Sequence, residues 1–216
     1  MAAYNQYCAL AQALDRIGDR WTMLIVRELL VRPCRYSDLR DALPGIATNL
    51  LAERLRRLET DGIVERRELG PPVATTVYGL TDLGRALEPA ILSLIRWGGA
   101  WMQRRRRGTG FRAHWLGLAL RALLEPPPQF DAIVAIVTEG ERITLHAKDG
   151  EIALRDDDVP VAGELKAAPD VILGIAAGKI RLAQAERDGA AAITGDRRAL
   201  GRLLRPPAPA TQPLRI

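Results

Sequence analysis

The chain has few residues of the types that hold metals or form disulfides. Its 216 residues include two cysteines, Cys8 and Cys34, and two histidines, His114 and His146. Two cysteines are too few for a disulfide scaffold or a four-ligand structural zinc site. We therefore expect no metal site and no cofactor.

Long apolar runs and catalytic motifs are also lacking. No apolar segment approaches the roughly 20 residues that span a bilayer, and the start, MAAYNQYCALAQALDR, lacks the basic and apolar regions of a secretory signal. We expect a cytoplasmic protein with no membrane partner. There is no Ser/His/Asp ordering, phosphate loop or metal-ligand spacing, so we do not expect an enzyme.

The positive charge lies in the first half and comes from arginine alone. Residues 1–112 contain 18 arginines and 12 acidic residues, whereas residues 113–216 contain 13 basic and 14 acidic residues. Such a basic half suits a polyanionic partner, and arginine binds phosphate and guanine in bidentate fashion. A genome-wide preference for arginine codons would give the same count, so the position of the charge is the informative feature.

The composition changes between residues 104 and 130. The stretch RRRRGTG (Arg104 to Gly110) places four like charges before two glycines, and EPPPQF (Glu125 to Phe130) contains three prolines that no helix continues through. We place the domain boundary in the first stretch, which gives domains of residues 1–110 and 111–216. Between the two stretches, AHWLGLALRALL is expected to be a separate helix.

The first domain is expected to be mainly helical. CALAQALDRI and WTMLIVRELL are apolar helical segments, and Ser37 is the expected N-cap of a third helix. A fourth helix is expected from Ala47 or Thr48 to Thr60. Its leucines share one side: Leu50, Leu51, Leu55 and Leu58. The opposite side is free to meet a partner: Asn49, Ala52, Glu53 and Arg56.

A hairpin and a long helix are expected to follow. IVERREL and TVYGLT are strand-like and are joined by a proline-containing turn. Thr81 is the expected N-cap of a helix through DLGRALEPAILSLIRWGGAWMQRRRR, with Pro89 and Gly98–Gly99 bending it. This helix is expected to carry one broad apolar face: Leu83, Leu87, Ile91, Leu94 and Trp101.

The order of these segments resembles a known family. IGDRWTMLIVRELL, RYSDLRDALPGIATNLLAERLRRLETDGIVERR and VYGLTDLGRAL are similar to the HxlR-type winged helix-turn-helix regulators of bacteria, over about residues 7 to 102. The resemblance implies a homodimer that binds inverted-repeat double-stranded DNA, pairing through helices at the start and end of the domain. It implies a recognition helix ending at Thr60 and a wing over Glu65–Tyr78.

The resemblance also implies the DNA-binding residues, which are expected on three elements: Arg35, Tyr36, Ser37, Thr48, Asn49, Glu53, Arg54, Arg56, Arg57, Arg66 and Arg67. Thr48 and Asn49 are expected to contact bases or phosphates, and the wing arginines to contact phosphates. Arg54 and Arg57 flank the leucine face and could reach phosphates or internal carboxylates. Ala47 and Thr48 stand where many members carry a Ser-Pro pair, so the operator sequence does not carry over.

Cys8 has two interpretations. Some HxlR-type regulators carry a reactive cysteine near this place, which implies redox sensing, whereas a small buried hydrophobic residue is the simpler interpretation. Cys34 has the more basic neighbours, Arg32 and Arg35, but no such precedent.

The second domain is expected to be an α+β layer. AIVAIVTEGERITLHAKDGEIAL alternates with turns at Glu139–Gly140 and Asp149–Gly150, which predicts a three-stranded meander with Ile133, Ala135 and Val137 in one alternating set. A strand, two short helices, another strand and a last helix from Asp196 are expected to follow.

Residues 112 to 205 resemble sterol-carrier-protein-like domains, through the order PDVILGIAAGKIRLAQAERDGAAAITGDRRALGRLL. The resemblance implies an α/β sandwich that encloses an apolar tunnel for a hydrophobic small molecule. Eight residues could line it: Trp115, Leu118, Ile133, Ile143, Leu145, Ile172, Ile175 and Ile193. The alternative is that they form an ordinary core.

These observations predict an α+β protein with an N-terminal winged helix-turn-helix and a C-terminal sterol-carrier-like domain. Its expected function is that of a homodimeric bacterial transcription factor, with an apolar small molecule as a further candidate partner. One alternative is a lipid carrier with weak, non-specific DNA binding. Another is a redox switch working through Cys8.

Overall fold

The computed structural model of the protein describes residues 3–70, 74–102, 110–155 and 158–205. The chain forms two compact units, Met1–Ile91 and Leu92–Ile216. The boundary expected within Arg104 to Gly110 falls almost entirely outside the described residues, so the division at residue 110 remains a prediction. Among the described helices, none is long and apolar enough to cross a membrane.

The first unit has the element order of a winged helix. Four helices come first: α1 (Ala9–Ile17), α2 (Thr22–Val31), α3 (Tyr36–Ala42) and α4 (Thr48–Thr60). A hairpin of β1 (Val64–Leu69) and β2 (Thr75–Leu80) follows, and then α5 (Asp82–Arg85). The next helix, α6 (Glu88–Gly98), begins in the first unit and continues into the second.

The leucine side of α4 is buried in the core, as its spacing predicts. Leu51, Leu55 and Leu58 are each at most 1% exposed. From α2, Ile25 and Leu29 contribute to the same class of fully buried side chains. Since each buried leucine contributes about 1.5–3 kcal/mol to folding, this side of α4 is committed to the domain and only its opposite side is available to a partner.

The hairpin is held to the helical part by a short bridge. β1 and β2 pair antiparallel, with Arg66 opposite Tyr78 and Arg67 opposite Val77. The main chain of Tyr78 also exchanges hydrogen bonds with Cys34, between α2 and α3, at 2.8 and 2.9 Å. The wing expected over Glu65–Tyr78 is therefore present as a hairpin, while residues 71–73 of its turn lie outside the described part.

The third helix begins earlier than expected, so the assignment of Ser37 as its N-cap is wrong. α3 starts at Tyr36, and Arg35 occupies the N-cap position. The cause is Asp38, whose carboxylate accepts the main-chain N–H of Arg35 at 3.0 Å. This reach back from the third helical position satisfies a terminal donor and fixes where the helix begins.

The single long helix expected after Thr81 is also wrong. Thr81 does cap α5, since its Oγ1 accepts the N–H of Gly84 at 3.1 Å, but α5 ends at Arg85. Pro89 has no N–H to give to the carbonyl four residues earlier, so a new helix, α6, begins at Glu88. A 3-10 turn over Gly99–Trp101 follows α6.

The expected apolar face of this region is mostly exposed. Ile91 is 5% exposed, whereas Leu83, Leu94 and Trp101 are at least half exposed. The break between α5 and α6 shifts the helical phase, so these side chains do not form one buried stripe.

The second unit is a sheet with helices. Its elements are α7 (Ala113–Leu123), β3 (Asp131–Thr138), β4 (Glu141–Lys148), β5 (Glu151–Arg155), β6 (Gly163–Ala167), α8 (Pro169–Ala176), α9 (Leu182–Arg187), β7 (Ala191–Gly195) and α10 (Arg197–Leu203). The five strands lie in the order β5-β4-β3-β6-β7. β3 and β6 pair in parallel and the other neighbours pair antiparallel. The expected meander and the mixed α+β class are confirmed.

The two hairpin turns of the meander have the backbone that their sequences predict. Glu139 and Gly140 have φ of 50° and 84°, and Asp149 and Gly150 have φ of 52° and 85°. Positive φ at both central residues is the geometry of a two-residue type I′ turn, in which glycine costs least at the second position. These turns set the strand register that distributes side chains between the two faces of the sheet.

One assignment within the sheet is wrong. Ile133 is opposite His146, whereas Leu145 is opposite Val134. Directly opposed residues share a face, so Ile133, Ala135 and Val137 lie on the face away from Ile143 and Leu145. The residues of β3 in the core are Val134 and Ile136, each 0% exposed.

Candidate nucleic-acid interface

The surface that could meet DNA is built on α3, the turn after it, and α4. Gly45 takes a φ of 94°, which lets the chain reverse between the two helices. Leu43 and Ile46, on either side of this turn, are buried and anchor it. The second helix of such a pair is the one that enters the major groove in helix-turn-helix proteins, and here that helix is α4.

The outward side of α4 carries polar residues, as expected. Four of the predicted DNA-binding residues are exposed on it: Thr48, Asn49, Glu53 and Arg56. The N-cap residue is Ala47, which makes no side-chain capping bond. The first-turn N–H groups and the positive end of the helix dipole are therefore open to a phosphate.

Three of the predicted arginines are available to phosphates. Arg35, Arg56 and Arg66 are exposed, and within the part of the chain that the structure describes none of them pairs with a carboxylate. Arg56 donates its Nε–H to the carbonyl of Ala52 at 3.2 Å, on its own helix. A guanidinium without a carboxylate partner keeps its full charge for a DNA backbone.

Arg54 has an internal partner instead. Its Nε lies 3.2 Å from Oδ1 of Asp19, and the two side chains are 12% and 5% exposed. The same carboxylate accepts the N–H of Trp21 at 2.9 Å and of Thr22 at 3.0 Å, at the start of α2. Asp19 therefore links the start of α2 to α4, a role that the sequence interpretation missed. An aspartate just before a helical segment is typical of an N-cap and was the available signal.

Arg57 also contacts the domain. Its guanidinium donates to the carbonyl of Asp15 in α1 and lies 3.9 Å from the carboxylate of Asp61. The internal alternative for Arg54 and Arg57 is the one that these contacts support. Both arginines position α4 on the domain in the free protein.

The two wing arginines are not equivalent. Arg67 pairs with the carboxylate of Glu65, two residues earlier on β1. Adjacent residues of a strand point to opposite faces, so Arg66 and Arg67 lie on opposite faces of the hairpin. Arg66 is therefore the stronger candidate for a phosphate contact.

Tyr36 and Ser37 differ in the same way. Ser37 is exposed. Tyr36 is half-buried, and its hydroxyl donates a hydrogen bond to the main-chain carbonyl of Thr48 at 2.7 Å. The phenol thus lies between α3 and the start of α4.

The two cysteines have opposite environments. Cys8, just before α1, is exposed, whereas Cys34 is buried and its thiol contacts the carbonyl of Arg32 at 3.4 Å. Burial raises the pKa of Cys34 to about 11, against a smaller opposing effect of the Arg32 charge. The basic neighbours do not activate Cys34, because removal from water outweighs them.

The predicted ligand-binding residues only partly converge. Ile143, Leu145, Ile172 and Ile175 belong to the core between the sheet and the helices, and Ile193 packs against it. Ile133 lies on the opposite face of the sheet. Leu118 is buried and Trp115 half-buried, outside this core.

An open depression lies elsewhere in the second unit, near α8 and α9. Its volume is about 450 Å³, and it is lined by Val171, Lys179, Ile180, Arg181, Gln184, Ala185, Asp188 and Ala190. None of the eight predicted ligand-binding residues is among those that line it.

Helices α2 to α4 followed by a hairpin define a winged helix-turn-helix protein. The family model described as HxlR-like helix-turn-helix matches residues 16–106. The uncharacterised HTH-type transcriptional regulator sll1512 of Synechocystis sp. is 36% identical over 97 residues, which cover 44% of this chain and 71% of the relative. The uncharacterised HTH-type transcriptional regulator YvaP of Bacillus subtilis is 36% identical over 91 residues, covering 42% and 84%.

The chain therefore belongs to the HxlR-like helix-turn-helix family of bacterial transcriptional regulators. The solved structure of the redox regulator HypR in its reduced form is 32% identical, with a TM-score of 0.41 and coverage of 43% of this chain and 92% of that one. The matched residues end at 106, so the sterol-carrier-like resemblance of residues 112–205 remains a prediction.

Proposed function

We propose that the protein binds inverted-repeat operator DNA as a homodimer, with α4 in the major groove and the wing on the backbone. The observation that carries this proposal is the separation of the arginines into two groups. Arg54 and Arg57 hold α4 on the domain, whereas Arg35, Arg56 and Arg66 are exposed without a carboxylate partner. Thr48 and Asn49 are the residues that contact bases, and Ser37 is a further backbone contact.

The exposed apolar side chains support the homodimer. In the first unit, Ala11 is the buried residue of α1, while Tyr7, Leu10 and Leu14 are exposed. In the second unit, Trp97 and Trp101 are 61% and 54% exposed on and just after α6. Aromatic and leucine side chains clustered on a helix and left in water are typical of a protein interface, and two copies of one chain supply matching surfaces.

Sedimentation velocity on the protein, alone and bound to duplex DNA, tests this assembly. We expect a dimer in solution and two chains per duplex. Leu10→Glu should dissociate the dimer and weaken DNA binding. Gln129→Glu, the same charge change at an exposed position of the second unit, should do neither. A monomer that binds DNA as tightly as a dimer would contradict the proposal.

The C-terminal unit is proposed to sense an apolar small molecule. Five of the eight predicted lining residues share the layer between sheet and helices, which is where a ligand of that kind would be enclosed. A ligand that binds one spacing of the two recognition helices better than another would change operator affinity. Titration with a fluorescent fatty acid tests this step, and saturable binding with a shifted operator affinity is the expected result.

Two other outcomes would favour the rival functions. Tight fatty-acid binding together with weak, sequence-independent DNA binding would favour a lipid carrier. The redox alternative has one observation behind it, the exposure of Cys8. Operator release on mild oxidation that is abolished in Cys8→Ser would support it, and release that persists in this variant would count against it.

A further inference from the structure

The start of α4 lacks the usual means of holding a helix end. Its N-cap residue, Ala47, has no polar side chain and makes no capping bond. Thr48 and Asn49 are exposed, and the first residue of α4 that is buried in the core is Leu51. Uncapped helix ends fray, so the residues before Leu51 need another contact to hold a defined orientation.

Tyr36 supplies such a contact. It is the first residue of α3, and its hydroxyl donates to the carbonyl of Thr48, the first residue of α4, at 2.7 Å. The two residues are 12 positions apart, so the bond connects the start of one helix to the start of the next. The half-buried ring limits the freedom of this connection.

The same hydrogen bond excludes the phosphate contact that the family resemblance implies for Tyr36. A phenol has one proton to donate, and a phosphate oxygen only accepts hydrogen bonds. As long as the proton is given to the carbonyl of Thr48, Tyr36 has none for the DNA backbone.

We propose that Tyr36 is a positioning residue, which holds the first turn of α4 in the orientation from which Thr48 and Asn49 contact bases. Its effect on base readout rests on the proposed DNA-binding function. The connection between the helices does not, because it exists in the free chain.

Hydrogen exchange of the free protein tests the connection directly. In Tyr36→Phe, which keeps the ring, the amides of Leu51 and Ala52 should exchange about three to ten times faster, as expected for the loss of one hydrogen bond. The matched control is Thr60→Val, which removes a hydroxyl bonded to the carbonyl of Arg56 at 3.0 Å at the other end of α4. It should leave these two amides unchanged, and unchanged exchange in Tyr36→Phe would overturn the proposal.

Binding to DNA tests the consequence. We compare affinity for the duplex that the wild-type protein selects from a random pool with affinity for a scrambled duplex, at several salt concentrations. In Tyr36→Phe the ratio of the two affinities should fall about three- to ten-fold with an unchanged salt slope. Thr60→Val should keep the wild-type ratio, as would Tyr36→Phe if Tyr36 contributed only to stability.

A phosphate-contacting Tyr36 would give a different result. Affinity for both duplexes would then fall by the same factor, which would overturn the positioning role. If the wild-type protein selects no sequence, the proposed function fails, and the exchange rates of Leu51 and Ala52 still decide the connection.

Discussion

Asp19 lies at the start of α2 and pairs with Arg54 in the middle of α4, with 3.2 Å between Oδ1 and Nε. Because the carboxylate also accepts two main-chain N–H groups of α2, one side chain sets the position of α4 relative to the helix behind it. The arginine-rich α4 thus contains residues of two kinds, and the first two predictions separate them.

Replacing Arg54 should affect stability more than DNA contact. Arg54→Met leaves the 5% exposed Asp19 carboxylate without its cation, which we expect to cost about 2 kcal/mol of unfolding free energy. Arg56→Ala, on the exposed side of the same helix, should change stability by less than about 0.5 kcal/mol. Urea denaturation of both variants measures the difference, and equal destabilisation would contradict the assignment of Arg54 to the interior.

Arg66 and Arg67 should differ in their contribution to DNA affinity. Arg66→Ala should lower the salt slope of binding by about 0.9, the value for one phosphate contact, and weaken all sequences alike. Arg67→Ala should have the smaller effect, because Glu65 already pairs with Arg67. Lys166→Ala removes an exposed charge from the second unit and should leave the slope unchanged; a loss equal to that of Arg66→Ala would mean that net charge alone drives binding.

Asn49 should determine base preference. Its side chain is exposed in the first turn of α4, and asparagine forms paired hydrogen bonds with adenine in the major groove. Asn49→Ala should relax the preference at about one base pair per half-site, at a cost of roughly 1–3 kcal/mol on the preferred duplex. Competition assays with singly substituted duplexes measure this effect, and a uniform loss on every sequence would assign Asn49 to the backbone.

The two thiols should react at very different rates. At pH 7.5 a maleimide should label Cys8 and leave Cys34 unmodified in the folded protein, because Cys34 is buried and its pKa is about 11. Mass spectrometry of labelled peptides measures both sites. Labelling of Cys34 at the rate of Cys8 would contradict the buried environment.

The raised pKa of Cys34 also predicts a pH dependence. Between its ordinary value of 9.0 and about 11, the folded state keeps the thiol proton that the unfolded state loses. The free energy of unfolding should therefore fall as pH rises through this range. The Cys34→Ala variant should lose this part of the dependence, and an identical pH profile would show that other groups cause it.

The helix positions could be predicted because their signals are local. The leucine spacing places α4 within one residue, Thr81 caps α5, and the turn at Asp149–Gly150 has the backbone that its residues favour. Helix breaks were less certain: Pro89 was expected to bend a helix, whereas it starts a new one.

The partners of the arginines could not be predicted, since they lie far away in the sequence. Arg57 contacts the carbonyl of Asp15, 42 residues earlier, and no spacing rule connects such positions. Ile133 was misplaced for another reason. β3 is apolar on both faces, so alternation alone does not say which set faces the core, and only the pairing with β4 decides it.

Selection of binding sites from a random pool of duplex DNA tests the proposed function most directly. The purified full chain is used, and the recovered sequences are aligned. We expect an inverted repeat whose half-sites are about one helical turn apart, as two recognition helices of a dimer require. Recovery of no common sequence, with affinity that depends on salt alone, would contradict operator recognition.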